Sequence, residues 1–314
     1  MKDKKVVFMG TPEFSVPVLK ELIENTNVVL VVTQPDAYVG RKRILTPSPV
    51  CHLAEENNIE VFKPEKLRKE YEYVLNKKPD IIITCAYGQI VPKTILDYPE
   101  FGCINVHASL LPKYRGASPI SKAIYDGETS TGITIMYMDE TLDTGNIINA
   151  EEIPIDDTDT LGTLTNKLSK LGASLLMRTL PKIFDDTNFD IPQDNELATM
   201  APMIKRSDEK LDFNRTRLEV YNHVRSLNPE PSAFIILDNE EMKVLECRIG
   251  DETKGDIGVI SKVSKDSFSI NCKDGVIDII KIKPFGKKEM LVRDYFNGKD
   301  KNSLLGLHVG DTNE

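Results

Sequence analysis

The sequence predicts an α/β protein: a Rossmann-like, mostly parallel sheet domain over residues 1–188, a linker over 189–207, and a smaller OB-like β-barrel domain over 208–314. Three observations carry that expectation. The first two thirds alternate short apolar runs with helical-period segments, the pattern of strand–helix–strand units with helices on both faces of a parallel sheet. The last third replaces this rhythm with short alternating runs split by turn signals. Between the two, residues 185–208 are polar and without periodicity, as inter-domain linkers are. A length of 314 residues also suits two domains, at roughly 100–200 residues each.

In chain order, Val6–Met9 is a buried strand ended by Gly10, and Phe14–Asn25 follows with Val18, Leu19, Leu22 and Ile23 at helical spacing. Val28–Thr33 is the next strand. The stretch Gln34–Pro49, with Pro35, Gly40, Arg41, Lys42, Arg43, Pro47 and Pro49, reads as irregular. Val50–Asn57 is helical, Glu60–Phe62 a short strand and Lys69–Lys77 another helix. Ile81–Thr84, Gly102–His107, Gly132–Met138 and Gly145–Ile153 complete the sheet. Thr160–Leu180 carries Leu161, Leu164, Leu168, Leu171 and Leu175 at gaps of three and four, a helix that packs on the sheet. Thr158 or Asp159 caps it, and Pro181 ends or kinks it. Beyond the linker a helix near Arg215–Ser226 precedes four or five short alternating runs, Ala233–Leu237, Lys243–Ile249, Gly258–Val263, Ser267–Cys272 and Val276–Ile282. Turn signals such as Asp238-Asn239 and Asp274-Gly275 separate them, and the count fits a five-stranded open barrel.

Composition narrows the function classes. Forty Lys and Arg against 49 Asp and Glu give a net charge of −9, which argues against a generic nucleic-acid coat while permitting a local basic patch. With 40% hydrophobic and 28% charged residues the chain is neither disordered nor a membrane protein. Met1–Lys5 is basic, yet only Val6–Met9 follow before Gly10, too short for a signal peptide's apolar core. Cys51, Cys85, Cys103, Cys247 and Cys272 are odd in number and contain no CxxC, so neither a disulfide framework nor a structural zinc is expected. These features fit the cytoplasm.

Two nucleotide-binding signatures are missing. Gly10 stands alone after the first strand, so no GxGxxG follows it, and no GxxxxGK[ST] occurs. The informative segment is Gly102–Pro112. Asn105 and His107 lie two apart on a strand and project from one face, with Ile104 and Val106 on the other. That strand's carboxyl end is where open α/β sheets place their ligands. Taken alone, the pair also suits a histidine satisfied by local hydrogen bonds. Downstream, Lys113–Ser118 is a basic, glycine-containing loop and Asp139–Gly145 an acidic turn. Asn, His and Asp without a nucleophilic Ser or Cys suit acyl transfer between two bound substrates: amide and protonated imidazole donate to a developing oxyanion, and a carboxylate holds the imidazole and helps move a proton. Asp143 considered by itself is an ordinary turn residue.

Asn105-Val106-His107, Ser109-Leu110-Leu111-Pro112 with Arg115-Gly116, and Leu142-Asp143-Thr144-Gly145 resemble the signature of the 10-formyltetrahydrofolate-dependent formyltransferases. Phe8–Ser15, Gln34–Asp36, Gly40-Arg41, Pro47–Val50, Ala86–Pro92, Asn228–Pro231 and Gly286–Met290 extend the likeness over essentially the whole chain, toward members whose acceptor is a tRNA. The resemblance implies formyl transfer from 10-formyltetrahydrofolate to the α-amine of initiator methionyl-tRNA, with no metal, and the expected fold gives no reason for more than a monomer. It implies Asn105, His107 and Asp143 as the catalytic trio. Ser109, Leu110, Leu111 and Pro112 would contact the folate, and Ala86, Tyr87, Gln89, Ile90 and Val91 would wall its pteridine pocket. Arg41, Lys42 and Arg43 would grip the acceptor arm, three cations in a Pro/Gly-flanked loop being suited to phosphate; Phe14 would lie near the methionyl side chain. A sugar-nucleotide amine or water are the rival acceptors. Departures from the family pattern are Glu230 in place of a frequent aromatic, Met203 in place of a common lysine, and a stretch from position 207 onward with 17 basic residues against 20 acidic ones, a net of −3.

Overall fold

The computed structural model describes residues 1–40, 42–297 and 300–310. The chain divides into one unit of Met1–Pro119, Ser130–Pro154 and Thr165–Pro202 and another of Ile120–Thr129, Ile155–Leu164 and Met203–Glu314.

The first unit is built on β1 (Lys5–Gly10), α1 (Val16–Asn25), β2 (Asn27–Val32), β3 (Ala37–Val39), β4 (Ile44–Thr46), α2 (Pro49–Glu56), β5 (Val61–Phe62), α3 (Leu67–Glu70), α4 (Glu72–Leu75), β6 (Ile81–Cys85), α5 (Lys93–Leu96) and β7 (Cys103–His107). Helix α6 (Pro119–Tyr125), which from Ile120 on belongs to the second unit, precedes β8 (Ser130–Tyr137), β9 (Ile147–Pro154) and α7 (Leu161–Phe184), whose residues to Leu164 also belong to the second unit. Seven strands pair in the order β5-β2-β1-β6-β7-β8-β9; those from β5 to β7 are parallel, and β8 and β9 run antiparallel at one edge. The mostly parallel sheet follows from the apolar runs. Val6–Met9 and Ile81–Ile83 are buried on both faces, as central parallel strands are, whereas edge strand β9 alternates toward solvent. Pro49 opens α2 and the Ser48 hydroxyl caps it by accepting from the Cys51 N–H at 3.0 Å.

Three details differ from the sequence reading. Gln34–Pro49 is not wholly irregular: β3 and β4 form an antiparallel hairpin with Ala37 opposite Thr46 and Val39 opposite Ile44. Its Tyr38-Val39 and Ile44-Leu45-Thr46 are good strand formers, and the surrounding Pro, Gly and basic residues masked them. The stretch expected as one helix over Lys69–Lys77 is two short helices, α3 and α4, broken at Tyr71. Helix α7 runs past Pro181 to Phe184 instead of ending there.

Residues 189–202 are tied to the sheet. Ile191 and Ile147 exchange both backbone hydrogen bonds at 2.8 Å, and Arg115 bonds through its main chain to Thr199 and Ala201.

The second unit carries α8 (Arg217–Ser226), β10 (Ala233–Leu237), β11 (Glu240–Ile249), β12 (Ile260–Val263), β13 (Phe268–Cys272), β14 (Gly275–Pro284), β15 (Met290–Leu291) and α9 (Val292–Tyr295). Its strands form an antiparallel sheet in the order β10-β11-β14-β13-β12, with β15 on β14. Each of the five alternating runs is therefore a strand. Asp238 and Asn239, at φ +51° and +63°, make the tight β10–β11 turn. Among the described residues no ladder joins β12 to β10, so the sheet is open, not a closed barrel. Thr216 and Glu219 form a capping box that starts α8, which contributes Val220 and Val224 to the core that also holds Val244, Ile270 and Ile282.

Candidate active site

The candidate residues gather at the carboxyl ends of β6 and β7, the edge of an open parallel sheet where ligands bind. Asn105 and His107 project from one face of β7. Asn105 stands opposite Thr84 of β6 in register, and the Thr84 hydroxyl donates to Asn105 Oδ1 at 2.9 Å. This fixes the amide's rotation and leaves its NH2 as the donor it can offer.

His107 is 5% exposed. Its Nε2 donates to the Tyr114 carbonyl at 3.0 Å, since a carbonyl oxygen only accepts. The other ring nitrogen, Nδ1, faces Asp143 Oδ2 at 3.7 Å. That is ion-pair range and longer than a hydrogen bond. Tyr114 reaches His107 by adopting φ +61°, and Asp143 itself sits at φ +54°, a left-handed conformation that Asp tolerates better than most residues. The Gly116 N–H donates to Asp143 Oδ2 at 2.8 Å. One short loop, Tyr114–Gly116, therefore orients both the imidazole and the carboxylate.

Around this trio the turn Ser109–Pro112 is locked from within. Ser109 is buried and donates to the Lys113 carbonyl at 2.6 Å, while the Thr134 hydroxyl donates to Ser109 O at 2.7 Å and accepts from Leu111 N at 3.1 Å. Leu111 is buried, and Leu110 and Pro112 are half-buried. The segment after β6 divides by role. Ala86, at φ +48°, and Ile90, 85% exposed, face outward, while Tyr87 and Val91 enter the core. Gln89 is engaged by Leu67 N, Pro64 O and Gln34. The Tyr87 carbonyl accepts from Thr11 Oγ1 at 2.9 Å and Gln34 Nε2 at 3.1 Å, which pins this segment to the ends of β1 and β2. A cavity lined by Lys93, Leu96, Asp97, Met138, Asp139, Glu140 and Thr141 adjoins it, and Met138 touches the same Thr84 hydroxyl that holds Asn105.

The remaining candidates stand elsewhere in this unit. Phe14 is half-buried in the turn Glu13–Ser15. Lys42 and Arg43 are exposed at the tip of the β3–β4 hairpin, with Arg43 over the Tyr38 ring at 5.3 Å from its centroid. Arg41 lies outside the described residues. Tyr38, Val39, Ile44 and Leu45 are exposed beside them.

Burial pushes the thiols of Cys85 and Cys103 up to about 12, so neither supplies a thiolate nucleophile at neutral pH. Among the described residues no group of three or more His, Cys, Asp or Glu is arranged to hold a metal ion, and no helix is long and apolar enough to cross a membrane.

Two contributors escaped the sequence reading. Thr84 is one of a run of strand residues and carries no local signal. Gln193 lies in the stretch read as a linker, yet its Nε2 donates to Asp143 O at 2.9 Å and to Gly145 O at 2.7 Å.

Residues 4–180 match the formyl transferase family and residues 203–300 match the formyl transferase C-terminal domain. The chain is 47% identical over 305 residues to a methionyl-tRNA formyltransferase of Staphylococcus epidermidis, covering 96% of this chain and 98% of that protein. It is 46% identical over 311 residues to the protein of that name from Halalkalibacterium halodurans, covering 98% of each. Among solved structures, the sugar 3N-formyl transferase WlaRD, crystallised with dTDP and 5-N-formyl-THF, superposes with a TM-score of 0.66 at 22% identity over 91% of this chain and 99% of that one. HypX from Aquifex aeolicus in complex with tetrahydrofolic acid gives a TM-score of 0.63 at 15% identity, over 94% of this chain and 48% of that one. At such identities these two structures speak to the fold alone.

Proposed function

We propose that this protein, which belongs to the formyl transferase family, moves the formyl group of 10-formyltetrahydrofolate onto the α-amine of methionine carried by initiator tRNA, giving the formylmethionyl-tRNA that starts translation. Near-full-length likeness to relatives named methionyl-tRNA formyltransferase supports the acceptor. The observation that carries the chemistry is the pairing of His107 Nδ1 with Asp143 at 3.7 Å while Nε2 is committed to the Tyr114 carbonyl.

That commitment makes Nδ1 the working edge of the imidazole. In the reaction the neutral amine bonds to the formyl carbon, the bond from that carbon to the folate nitrogen breaks, and one amine proton passes to the departing nitrogen. Asn105 donates its NH2 to the formyl oxygen as that oxygen gains negative charge. His107, protonated at Nδ1, donates to the same oxygen, and the Asp143 carboxylate balances the imidazolium. Asp143 also accepts the amine's proton through a water and relays it. Fixed donors at a largely buried site act without reorganisation and in a medium that screens them less than water does.

The donor fits the residues present. Ala86 and Ile90 are exposed after β6, and Leu110 and Pro112 are half-buried in the turn after β7, apolar residues suited to a flat heterocycle. The exposed cations Lys42 and Arg43, with Arg41, take the acceptor arm's phosphates, and Phe14 takes the methionyl side chain. Replacing Lys42 and Arg43 together with Ala raises KM for the tRNA several-fold and flattens its salt dependence by roughly one to two units of slope. KM for the folate stays unchanged; a wild-type KM for the tRNA would remove the hairpin from the binding surface.

The five main antiparallel strands of the second unit underlie our OB-like reading of it, and the parallel strands our Rossmann-like reading of the first. We read the protein as a cytoplasmic monomer. Sedimentation at twice the chain mass, or activity confined to a membrane fraction, contradicts this. The reading as a whole is tested by incubating the protein with formyl-labelled 10-formyltetrahydrofolate and initiator Met-tRNA. Label in the aminoacyl-tRNA supports it; label appearing only as formate overturns it.

A further inference from the structure

We propose that Gln193 is a positioning residue for the formyl transfer: its side-chain amide joins the loop that carries Asp143 to the loop that orients His107, and so sets the separation of the pair. The proposal rests on the catalytic reading of Asp143 above. Gln193 touches neither His107 nor the Asp143 carboxylate.

Its amide uses all four of its hydrogen-bonding functions. The NH2 donates to the main-chain oxygens of Asp143 at 2.9 Å and Gly145 at 2.7 Å. Oε1 accepts from Arg115 Nε at 3.1 Å and Nη2 at 2.7 Å, a two-pronged contact from a guanidinium that is 6% exposed. Arg115 Nη2 also donates to Asn195 Oδ1 at 2.9 Å, its N–H bonds to Thr199 O at 2.8 Å and its carbonyl accepts from Ala201 N at 2.7 Å. Arg115 is thus held from both its side chain and its main chain by residues 193–201.

Its two neighbours in sequence do the orienting. Tyr114 presents the carbonyl that takes His107 Nε2, and Gly116 presents the N–H that takes Asp143 Oδ2. Both members of the pair therefore hang from Tyr114–Gly116, and the Asp143 main chain hangs from Gln193, which is clamped to Arg115. Asp143 and Tyr114 both hold left-handed backbone conformations, which persist only where the surroundings over-determine them. Gln193 provides that constraint for Asp143. A Glu side chain of the same shape retains the contact with Arg115 but has no proton to offer either carbonyl. Met has neither function.

The test uses the full-length protein with Gln193→Glu and Gln193→Met, each alone and in the Asp143→Ala background. Transfer to initiator Met-tRNA from 10-formyltetrahydrofolate is measured with both substrates varied, and thermal melts report folding. Displacing a reacting group by about 1 Å costs on the order of 100-fold. The expected result is a fall in kcat of roughly 10- to 100-fold in both single variants, with KM for each substrate within about twofold of wild type. In the Asp143→Ala background Gln193→Glu, which keeps Arg115 and so the loop that holds His107, lowers kcat no further, because its effect passes through the Asp143 loop. Gln193→Glu preserves the Arg115 contact, so it remains readable should the Met variant fail to fold. Wild-type kcat in folded Gln193 variants overturns the positioning role, as does a full additional loss in the Asp143→Ala background. Wild-type turnover in Asp143→Ala itself removes the reading of Asp143, and the positioning role with it.

Discussion

Turnover falls by two to four orders of magnitude when His107, Asn105 or Asp143 is replaced by Ala. A donor aimed at developing negative charge is worth about 100- to 1,000-fold, and a positioned proton-transfer group about 100- to 10,000-fold. Asn105→Ala removes the NH2 donor and leaves the Thr84 hydroxyl its second acceptor, the Ile104 carbonyl at 3.2 Å, so β6 and β7 keep their pairing. Asp143→Ala releases the Gly116 N–H and strips the imidazolium of its counter-charge. His107→Ala has the largest structural cost, because it empties a buried site and removes the hydrogen bond to the Tyr114 carbonyl, worth about 0.5–1.5 kcal/mol. Asp143→Asn separates charge from shape: its Oδ1 still accepts from Gly116, so the fold is kept while transfer collapses. Steady-state kcat alongside a thermal melt decides each case. A variant with wild-type kcat is thereby excluded from the trio.

Gly145→Ala disables the site by steric means. A Cβ at Gly145 would lie 1.9 Å from the Tyr137 carbonyl oxygen and 2.8 Å from its carbon. Both are backbone atoms of β8, so no side-chain rotation relieves the contact. The Gly145 carbonyl also receives Gln193, and Tyr137 N bonds to Asn146 O at 2.9 Å just where β8 and β9 come together. The hairpin must open, carrying the Asp143 loop away from His107. Overpacking of this kind costs about 1–3 kcal/mol or more, so a lowered Tm and a kcat reduced at least 100-fold are expected together. A Gly145→Ala protein with the melting temperature and kcat of the wild type contradicts the close approach seen here.

What the sequence disclosed depended on whether the cause was local. Val6–Met9 and Ile81–Ile83 are legible as buried parallel strands because nothing interrupts their apolar runs. Asn105 and His107 are legible as one face because the strand period is two. The hairpin β3–β4 was hidden because its strands have three residues each, fewer than a periodicity window needs. Pro181 shows the limit of a local breaker: its ring removes one helical N–H, and α7 nonetheless continues to Phe184, packing outweighing propensity. At the site, Asp143 carried no signal of its own beyond a turn; only its resemblance to a known pattern marked it. Gln193 was out of reach for a different reason. Its partners Arg115, Asp143 and Gly145 lie 48 to 78 positions away, and a polar stretch that folds back onto a sheet reads in one dimension like a solvated linker.

The measurement that bears most directly on the central claim is an acceptor comparison with formyl-labelled 10-formyltetrahydrofolate. Initiator Met-tRNA, elongator Met-tRNA, a UDP-amino-sugar and water alone are presented to the same protein preparation. Label on initiator Met-tRNA, with the other acceptors at background, is the predicted result. Label on the amino-sugar, or release as formate whatever acceptor is present, contradicts the assignment of methionyl-tRNA as the amine that His107, Asn105 and Asp143 serve.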